Sequence, residues 1–352
     1  MTKPLVTIVN APRERFTLTS EALESIYANT EVPFNLVYVD GNSPPKVKQY
    51  LEEQSKEKGF KLIRKDYYLY PNVARNLGLR EVDTPYVVFI DNDVLVTPGW
   101  LKSLIQCAEE TGAAVVGPLT GIGPLKDNKI HYAGGEVHIV EQEKDSQVKR
   151  RVHEKMHFHN RPLAKTRDQI QRAQCELAEF HCMLVCTEIF EKTGMLDEKL
   201  LNTREHLDFC MLVAQAGGTV YCEPTSYVTY VPDLKYIWSD MHFYMLRWSN
   251  AWELSSLKHF SEKWDVGTKD AFFQERYKNL GWRREKGFVR PTAERIAPGK
   301  NSVWVSKIIR RVDRWLNPIL TDLYAQQETK RQKQNSSTTV SVSREPVAAQ
   351  SK

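Results

Sequence analysis

Residues 72–100 read NVARNLGLREVDTPYVVFIDNDVLVTPGW, and the fold class follows from how that stretch divides. Tyr86–Ile90 is a short, β-rich apolar run with Thr84-Pro85 marking a turn before it, the pattern of a buried strand. Asp91-Asn92-Asp93 stands at its carboxyl end. Side chains alternate along an extended chain, so both carboxylates face one way and can converge. Thr97 reads as an N-cap with Pro98 at the first helical position. Trp100, Leu101, Leu104, Ile105 and Ala108 then form an apolar stripe, and Gly112 is placed to stop the helix. Acids at the carboxyl end of a buried strand lie where open α/β sheets bind ligands. They are hard oxygen donors of the kind Mg²⁺ or Mn²⁺ prefers. A solvated turn with a helix cap would account for the same triplet, so its meaning depends on context.

The flanking sequence supplies that context. Leu5–Val9, Phe34–Val39 and Phe60–Ile63 read as three strands before it, and Ala113–Val116 as one after it. Between them lie helices carrying Leu23, Ile26 and Tyr27; Val47, Tyr50 and Leu51, with Gly59 as the stop; and Ala74-Arg75-Asn76. Strands alternating with helices at this spacing imply an α/β fold, a mostly parallel sheet flanked by helices on both faces. Asp40 ends the second strand, where an acid can hold a ribose or base edge or can cap the next turn. Arg75 either reaches a bound nucleotide or is a surface helix arginine.

Composition sets the bounds. The 352 residues are 41% hydrophobic and 26% charged, ordinary for one large or two smaller globular domains. No apolar run is long enough for a transmembrane helix. Met1-Thr-Lys-Pro leads straight into a strand, which leaves no room for a signal peptide. Six cysteines lack paired CxxC spacing and read as buried thiols of a reducing, cytoplasmic compartment. The formal charge is +5, yet residues 281–315 alone hold ten Lys/Arg against three Asp/Glu. The basic excess is therefore local.

Several ordered blocks resemble the family 2 glycosyltransferases of GT-A fold. VTIV, VYVDGNSPP, NVARNLGLREVDTPYVVFIDND and TPGWL are similar to their nucleotide-sugar half. KIHYAGGEVHI resembles a β-hairpin segment common in these enzymes. FHCMLVCTEIFEKTGMLDEKL is similar to their acceptor side, and NTREHLDFCMLVAQAGGTVYCEP to their Glu-Asp-x-Asp helix and following strand. The resemblance spans roughly residues 4–235. It implies a GT-A type, Rossmann-like domain over 1–235, with a nucleotide-sugar half (1–120) and an acceptor half (121–235). Residues 236–325 would be a helical, aromatic-rich and basic C-terminal extension, and 326–352, polar and rich in Ser, Thr and Gln, a disordered tail.

The resemblance further implies a metal-dependent, inverting transfer of a sugar from a nucleoside-diphosphate sugar of UDP or GDP type to an acceptor hydroxyl, in glycan or polysaccharide synthesis. Asp91 and Asp93 would serve Mn²⁺ or Mg²⁺. Asp40 would sit against the nucleoside and Arg75 near base and phosphates, with Asn76 and Asn92 among the donor-binding residues. Ala11, Pro12 and Glu14 fall where the family usually has a Pro-x-Tyr-Asn type stretch, and this departure leaves the base open. The family's downstream metal-side histidine is replaced around Val228-Thr-Tyr230.

An inverting transfer needs a group to take the acceptor proton. The family usually has Glu-Asp where this chain has Glu205-His206. Glu205 stands first as the base, then Asp208, which shares the first helical turn, then His206, whose ordinary pKa is near neutrality. A structural reading competes: Asn202-x-x-Glu205 approximates a capping box, and first-turn acids suit the helix dipole.

Residues 141–176 are polar and charge-dense, the pattern of a solvated loop. His153, His157 and His159 lie there with no matching acid or cysteine cluster. The aromatics from Tyr236 to Trp264 sit at helical spacing and read first as core, second as sugar platforms. His242 and Arg247 could face a diphosphate. Within 302–324, Trp304, Ile308, Val312, Trp315 and Ile319 make one stripe, with Lys307, Arg310, Arg311 and Arg314 mostly off it. This suits a peripheral contact with an anionic membrane, as for a lipid-linked acceptor, or docking on the chain itself or on a second subunit. Pro318 would kink or end this helix. The rival functions are a nucleotidyltransferase, which the glycine-free loop after strand one disfavours, and a catalytically degenerate scaffold, which Glu-His favours. Nucleic-acid binding lacks interleaved stacking motifs.

Overall fold

The computed structural model describes residues 3–123, 128–144, 147–232, 237–268 and 276–341. The chain alternates β1 (Val6–Ala11), α1 (Thr19–Asn29), β2 (Phe34–Gly41), α2 (Pro45–Lys58), β3 (Lys61–Lys65), α3 (Pro71–Leu79), β4 (Tyr86–Asp91), β5 (Val94–Val96), α4 (Trp100–Thr111) and β6 (Val115–Ile122). There follow β7 (Lys129–Tyr132), β8 (Gly135–Lys144), β9 (Gln147–Met156), α5 (Leu163–Thr166), β10 (Ala173–Cys175), β11 (Cys182–Cys186), α6 (Ile189–Thr193), α7 (Glu205–Gln215) and β12 (Val220–Tyr230).

The main sheet runs β10-β12-β6-β11-β4-β1-β2-β3. β3, β2, β1 and β4 are mutually parallel, and β12 is parallel to β6. β11 is antiparallel to both β4 and β6. Among the described strands on that path, all but β10 and β11 therefore point the same way, and the sheet is mostly parallel as expected.

Alternation divides its strands between two cores. Val9, Ala11, Val87 and Phe89 pack into one cluster with α7, while Val6, Ile8, Val88 and Ile90 pack into the other with α1 and α4. Strands buried on both faces read as continuous apolar runs, which is why β1 and β4 were legible. α3 lies so close to β1 that a Cβ at Gly78 would come within 2.3 Å of Val9 Cγ1. Gly59 and Gly112 stop α2 and α4 in the left-handed conformation.

Four expectations are corrected. α4 begins at Trp100 with Gly99 as its N-cap, and Thr97 Oγ1 instead donates to the Tyr227 carbonyl over 2.8 Å. The KIHYAGGEVHI segment is not one hairpin: β7 joins the main sheet beside β6, and β8 pairs with β9. The expected loop over 141–176 is largely ordered as that β8–β9 hairpin, α5 and β10. Cross-strand pairs supply the reason, since Glu136 binds His153 (3.0 Å), Lys155 (2.9 Å) and His157 (3.1 Å).

The fourth concerns the C-terminus. After α8 (Trp238–Arg247) and α9 (Asn250–Trp264), short turns at Trp282–Arg284, Glu285–Val289 and Arg290–Ile296 lead into one helix, Lys300–Ser341, that passes through Pro318. Disorder does not begin at 326. Glu328 accepts from the Tyr68 N–H over 3.0 Å, Thr329 bonds the Tyr70 hydroxyl over 2.7 Å, and Ala325 is buried with Phe16 and Phe243. The remainder of the expected tail, 342–352, lies outside the described residues. Of the aromatics in 236–264, Phe243, Trp252, Phe260 and Trp264 are core.

Candidate active site

Topology explains what meets at Asp91. β4 ends there, and because β11 is antiparallel, the residues just ahead of β11 lie beside that end: the Asp91 N–H donates to the His181 carbonyl over 3.1 Å. The loop after β1 arrives from one side and the end of β12 from the other. Among the described residues, these ends border a cleft of about 820 Å³ lined also by the start of α7, by Arg247 and Trp248 at the end of α8, and by residues 282–295. A separate hollow of about 550 Å³ lies at the amino ends of β2 and β3, where Phe34, Phe60 and Lys61 bring no such cluster together.

Nine Lys/Arg against five Asp/Glu line the cleft, which suits a polyanionic ligand such as a diphosphate. Arg75 is buried, donates to Asp91 Oδ1 over 3.1 Å, and lies 4.2 Å over the Phe180 ring. Arg13 stands 3.6 Å from Asp91 Oδ2, touches the His181 ring, and stacks 4.7 Å over Tyr230. Burial opposes the Arg13 charge, but Tyr230, Asp91, Asp93 and Glu14 outweigh it and hold the guanidinium protonated.

Asp91, Asp93 and His181 each place a ligand atom within 4.8 Å of the others. Asp93 is 3% exposed, and its Oδ1 has no hydrogen-bond partner among the described residues. Burial, with Asp91 and Glu14 nearby, pushes its pKa well up despite Arg13. An orphaned buried carboxylate is costly unless a cation meets it. His181 is held neutral by burial and by Arg13, and neutral imidazole is the ligating form. Two carboxylates and one imidazole fit a divalent cation such as Mn²⁺, or Mg²⁺ with waters completing its shell.

Other expected donor residues are engaged elsewhere. Asp40 accepts from the Ser43 N–H (3.0 Å) and hydroxyl (2.8 Å) and from Arg64, so it closes its own turn. Asn76 ties α3 to the Leu196 backbone and Glu198. Asn92 braces the loop after β1, accepting from the Arg13 N–H and donating to the Arg15 carbonyl. Ala11 is paired in the sheet beside Asp91, and Pro12 is buried. Glu14 does line the cleft and accepts from Trp248 Nε1 over 2.9 Å. His242 lies against Tyr324, away from the cleft, whereas Arg247 lines it.

The acceptor-side acids separate. Asp208 accepts from Trp264 Nε1 (2.8 Å) and Lys263 (2.9 Å) and does not line the cleft. Glu205 lines it but lies 3.4 Å from Arg247 Nη2. Burial pulls that guanidinium down to about 10. No capping box forms: Arg204 is the N-cap, and Asn202 donates to the Arg247 carbonyl over 2.8 Å. His206 lines the cleft with Nε2 4.0 Å from Glu179 Oε1. Burial lowers its pKa, with Glu179 opposing.

Glu179, His181 and His131 had not been singled out. Their signal was present, because Glu179-Phe-His181 just ahead of the apolar run Cys182–Cys186 repeats the i, i+2 logic of Asp91-Asn-Asp93. Glu154 and Met156 from the β9 end, with His159 and Asn160, also reach the cleft.

No curated protein sequence matches the chain significantly. Among solved structures, the crystal structure of GalNAc-T7 with UDP, GalNAc and Mn²⁺ aligns at 15% identity and TM-score 0.49, over 81% of this chain and 58% of that one. The present chain therefore spans little more than half of that protein's length. The mannosyltransferase PcManGT from Pyrobaculum calidifontis, in complex with GDP-Man and Mn²⁺, aligns at 13% identity and TM-score 0.48, over 94% and 86%. The model of glycosyl transferase family 2 matches residues 13–194, more than half of the chain, and with the sheet order and the acidic strand end described above it makes this protein a member of that family with the GT-A fold.

Proposed function

We propose that the protein is a metal-dependent, inverting glycosyltransferase that moves a sugar from a UDP- or GDP-type donor to an acceptor hydroxyl in glycan synthesis. The observation that carries this reading is the Asp91–Asp93–His181 group, with its partnerless Asp93 oxygen, beside a basic cleft. When bound there, a divalent cation supplies Lewis-acid stabilisation of the charge that develops on a departing diphosphate.

The chain's own residues do the rest. Arg13, Arg75 and Arg247 face the same space, Arg75 and Arg247 buried and Arg13 part-buried, so they orient a diphosphate and stabilise its charge. The acceptor oxygen attacks the anomeric carbon, its proton passes to a base, and the bond to the diphosphate breaks with the electron pair leaving on oxygen. In this reading His206 is that base, supported by its position on the cleft wall, by burial that lowers its pKa, and by Glu179, which can balance the imidazolium. Glu205, pinned by Arg247, orients the acceptor, and Asp208 is structural. Residues 1–235 form the catalytic domain in this reading, with the extension closing its cleft.

The test is isothermal titration of UDP and GDP with Mn²⁺ and with EDTA, on the wild type and on Asp93→Ala. Metal-dependent binding of one nucleotide, lost in the variant, is the expected result. Binding indifferent to metal and to the substitution would overturn the donor-site assignment. Histidine in place of the family's usual acid supports one second reading, a degenerate sugar-nucleotide-binding protein. That reading is recognised by tight binding with no turnover of any donor.

A further inference from the structure

The Lys300–Ser341 helix is fastened to the body on one side. Ser306, Asn317, Thr321, Ala325 and Glu328 are buried, Arg284 reaches Asp313 (3.2 Å), and Arg310 Nε reaches Glu285 (2.8 Å). Its other side is apolar and exposed: Trp304 is 69% exposed and Trp315 72%, with Ile308, Val312, Ile319 and Leu323 between and beyond them. From 304 to 323 the stripe is about 30 Å long at 1.5 Å per residue. A contiguous exposed apolar patch of that extent marks a docking surface. Among the described residues, no helix is long and apolar enough to cross a membrane.

We propose that this face lies on an anionic membrane surface. Charge selects that occupant. Lys307, Arg311 and Arg314 are exposed on the flank of the stripe with no acidic partner among the described residues, while Asp313 is taken up by Arg284. Asp322 is the other acid in the stretch. Such a row is attracted to anionic headgroups, and exposed tryptophans suit the boundary between headgroup and acyl chain. An antiparallel pairing with a second copy would set the row against its like. The helix is also tied to the cleft wall, because the Glu285–Val289 turn that binds Arg310 carries the cleft residues Lys286 and Gly287. Docking the helix therefore holds the cleft beside lipid. The docking does not depend on the glycosyl-transfer reading; only its consequence, an acceptor hydroxyl on a lipid-linked glycan, rests on it.

The experiment is flotation of the full chain with vesicles of phosphatidylcholine alone or with a phosphatidylglycerol fraction. Two variants accompany it, Trp304→Ser/Trp315→Ser and Lys307→Glu/Arg311→Glu/Arg314→Glu. The wild type is expected to float with anionic vesicles and not with neutral ones. Each variant is expected to lose roughly tenfold or more in partitioning, and added salt to weaken binding. Absence of flotation, or flotation unchanged in both variants, overturns the proposal. A wild-type dimer in light scattering that the tryptophan substitutions dissociate overturns it in favour of a second copy. Nucleotide titration on the same preparations is expected to be unchanged, which separates failure of docking from failure of the glycosyl-transfer reading.

Discussion

The Asp91 N–H donates to the carbonyl of His181 over 3.1 Å, so an acid closing a parallel strand and a histidine opening an antiparallel one are held in fixed register. The bond makes a carboxylate–imidazole site from segments ninety residues apart. Asp93 completes it.

Asp93→Asn replaces a buried carboxylate whose Oδ1 has no hydrogen-bond partner among the described residues. The metal-free protein is expected to keep or gain stability, by up to about 1 kcal/mol. Mn²⁺-dependent nucleotide binding falls by a hundredfold or more, on the order of the loss from removing a metal ligand or its support. Urea midpoints with EDTA and titrations with Mn²⁺ give the two readings, and a large loss of stability with EDTA would contradict the orphaned state of Oδ1.

His206→Asn is expected to lower kcat by about 10²–10³, the scale of lost general-base help, with KM little changed. Because burial lowers the His206 pKa, the wild type is expected to stay active at neutral pH. Its kcat then falls as pH drops through a value below the ordinary 6.5. That acidic limb should vanish in His206→Asn. If Glu205→Gln removed it instead, the base would be Glu205.

Asp208→Asn should behave as a stability variant. Asp208 accepts from Trp264 and Lys263 away from the cleft, so the loss is about 1–3 kcal/mol, with kcat nearly unchanged at temperatures where the variant is folded. A collapse of kcat in folded protein would restore Asp208 to the site.

Gly78→Ala brings a methyl within 2.3 Å of Val9 Cγ1. Helix α3 must shift, at about 1–3 kcal/mol, and it carries Arg75 with it. Nucleotide affinity is expected to weaken alongside the urea midpoint. Gly78→Ala combined with Val9→Ala is expected to recover part of both.

Asp197 predicts an acid-sensitive contribution. Burial works to raise its pKa, but bonds from His259 and Lys263 outweigh it and bring it from 3.8 down to about 2. A depressed carboxylate stabilises the fold above its unfolded pKa and loses that as pH falls through the folded value. Wild type and Asp197→Asn should therefore differ by about 2 kcal/mol near neutrality, and the difference should fade between pH 4 and 2. A difference that persisted at pH 2 would show that the bonds are not charge-assisted.

Much of the fold was legible because its signals are local. Strands buried on both faces, such as Tyr86–Asp91, must be apolar throughout, and Gly59 and Gly112 occupy conformations that other residues adopt at a cost. The same locality misled at the C-terminus. A polar run after Gln326 carries no apolar pattern of its own, yet Ala325, Glu328 and Thr329 find partners on Phe16, Tyr68 and Tyr70, more than 250 residues away.

By itself the sequence determined the alternating α/β layout, the acid pair at the end of β4, the basic amphipathic helix and membership of a family that the ordered motifs resemble. Those rest on periodicity and on residue type at short spacing. Only the tertiary structure decided which chemistry-bearing side chains share one space. It turned Asp208, Asn76 and Asn92 to bracing partners, folded Asp40 onto Ser43 and Arg64, brought His181 to Asp91, and set Glu179 in the same cleft. The physical reason is that β11 enters the sheet antiparallel between β4 and β6. That reversal is fixed by long-range pairing and burial, and nothing in the local pattern of residues 179–186 states which strand end they will face.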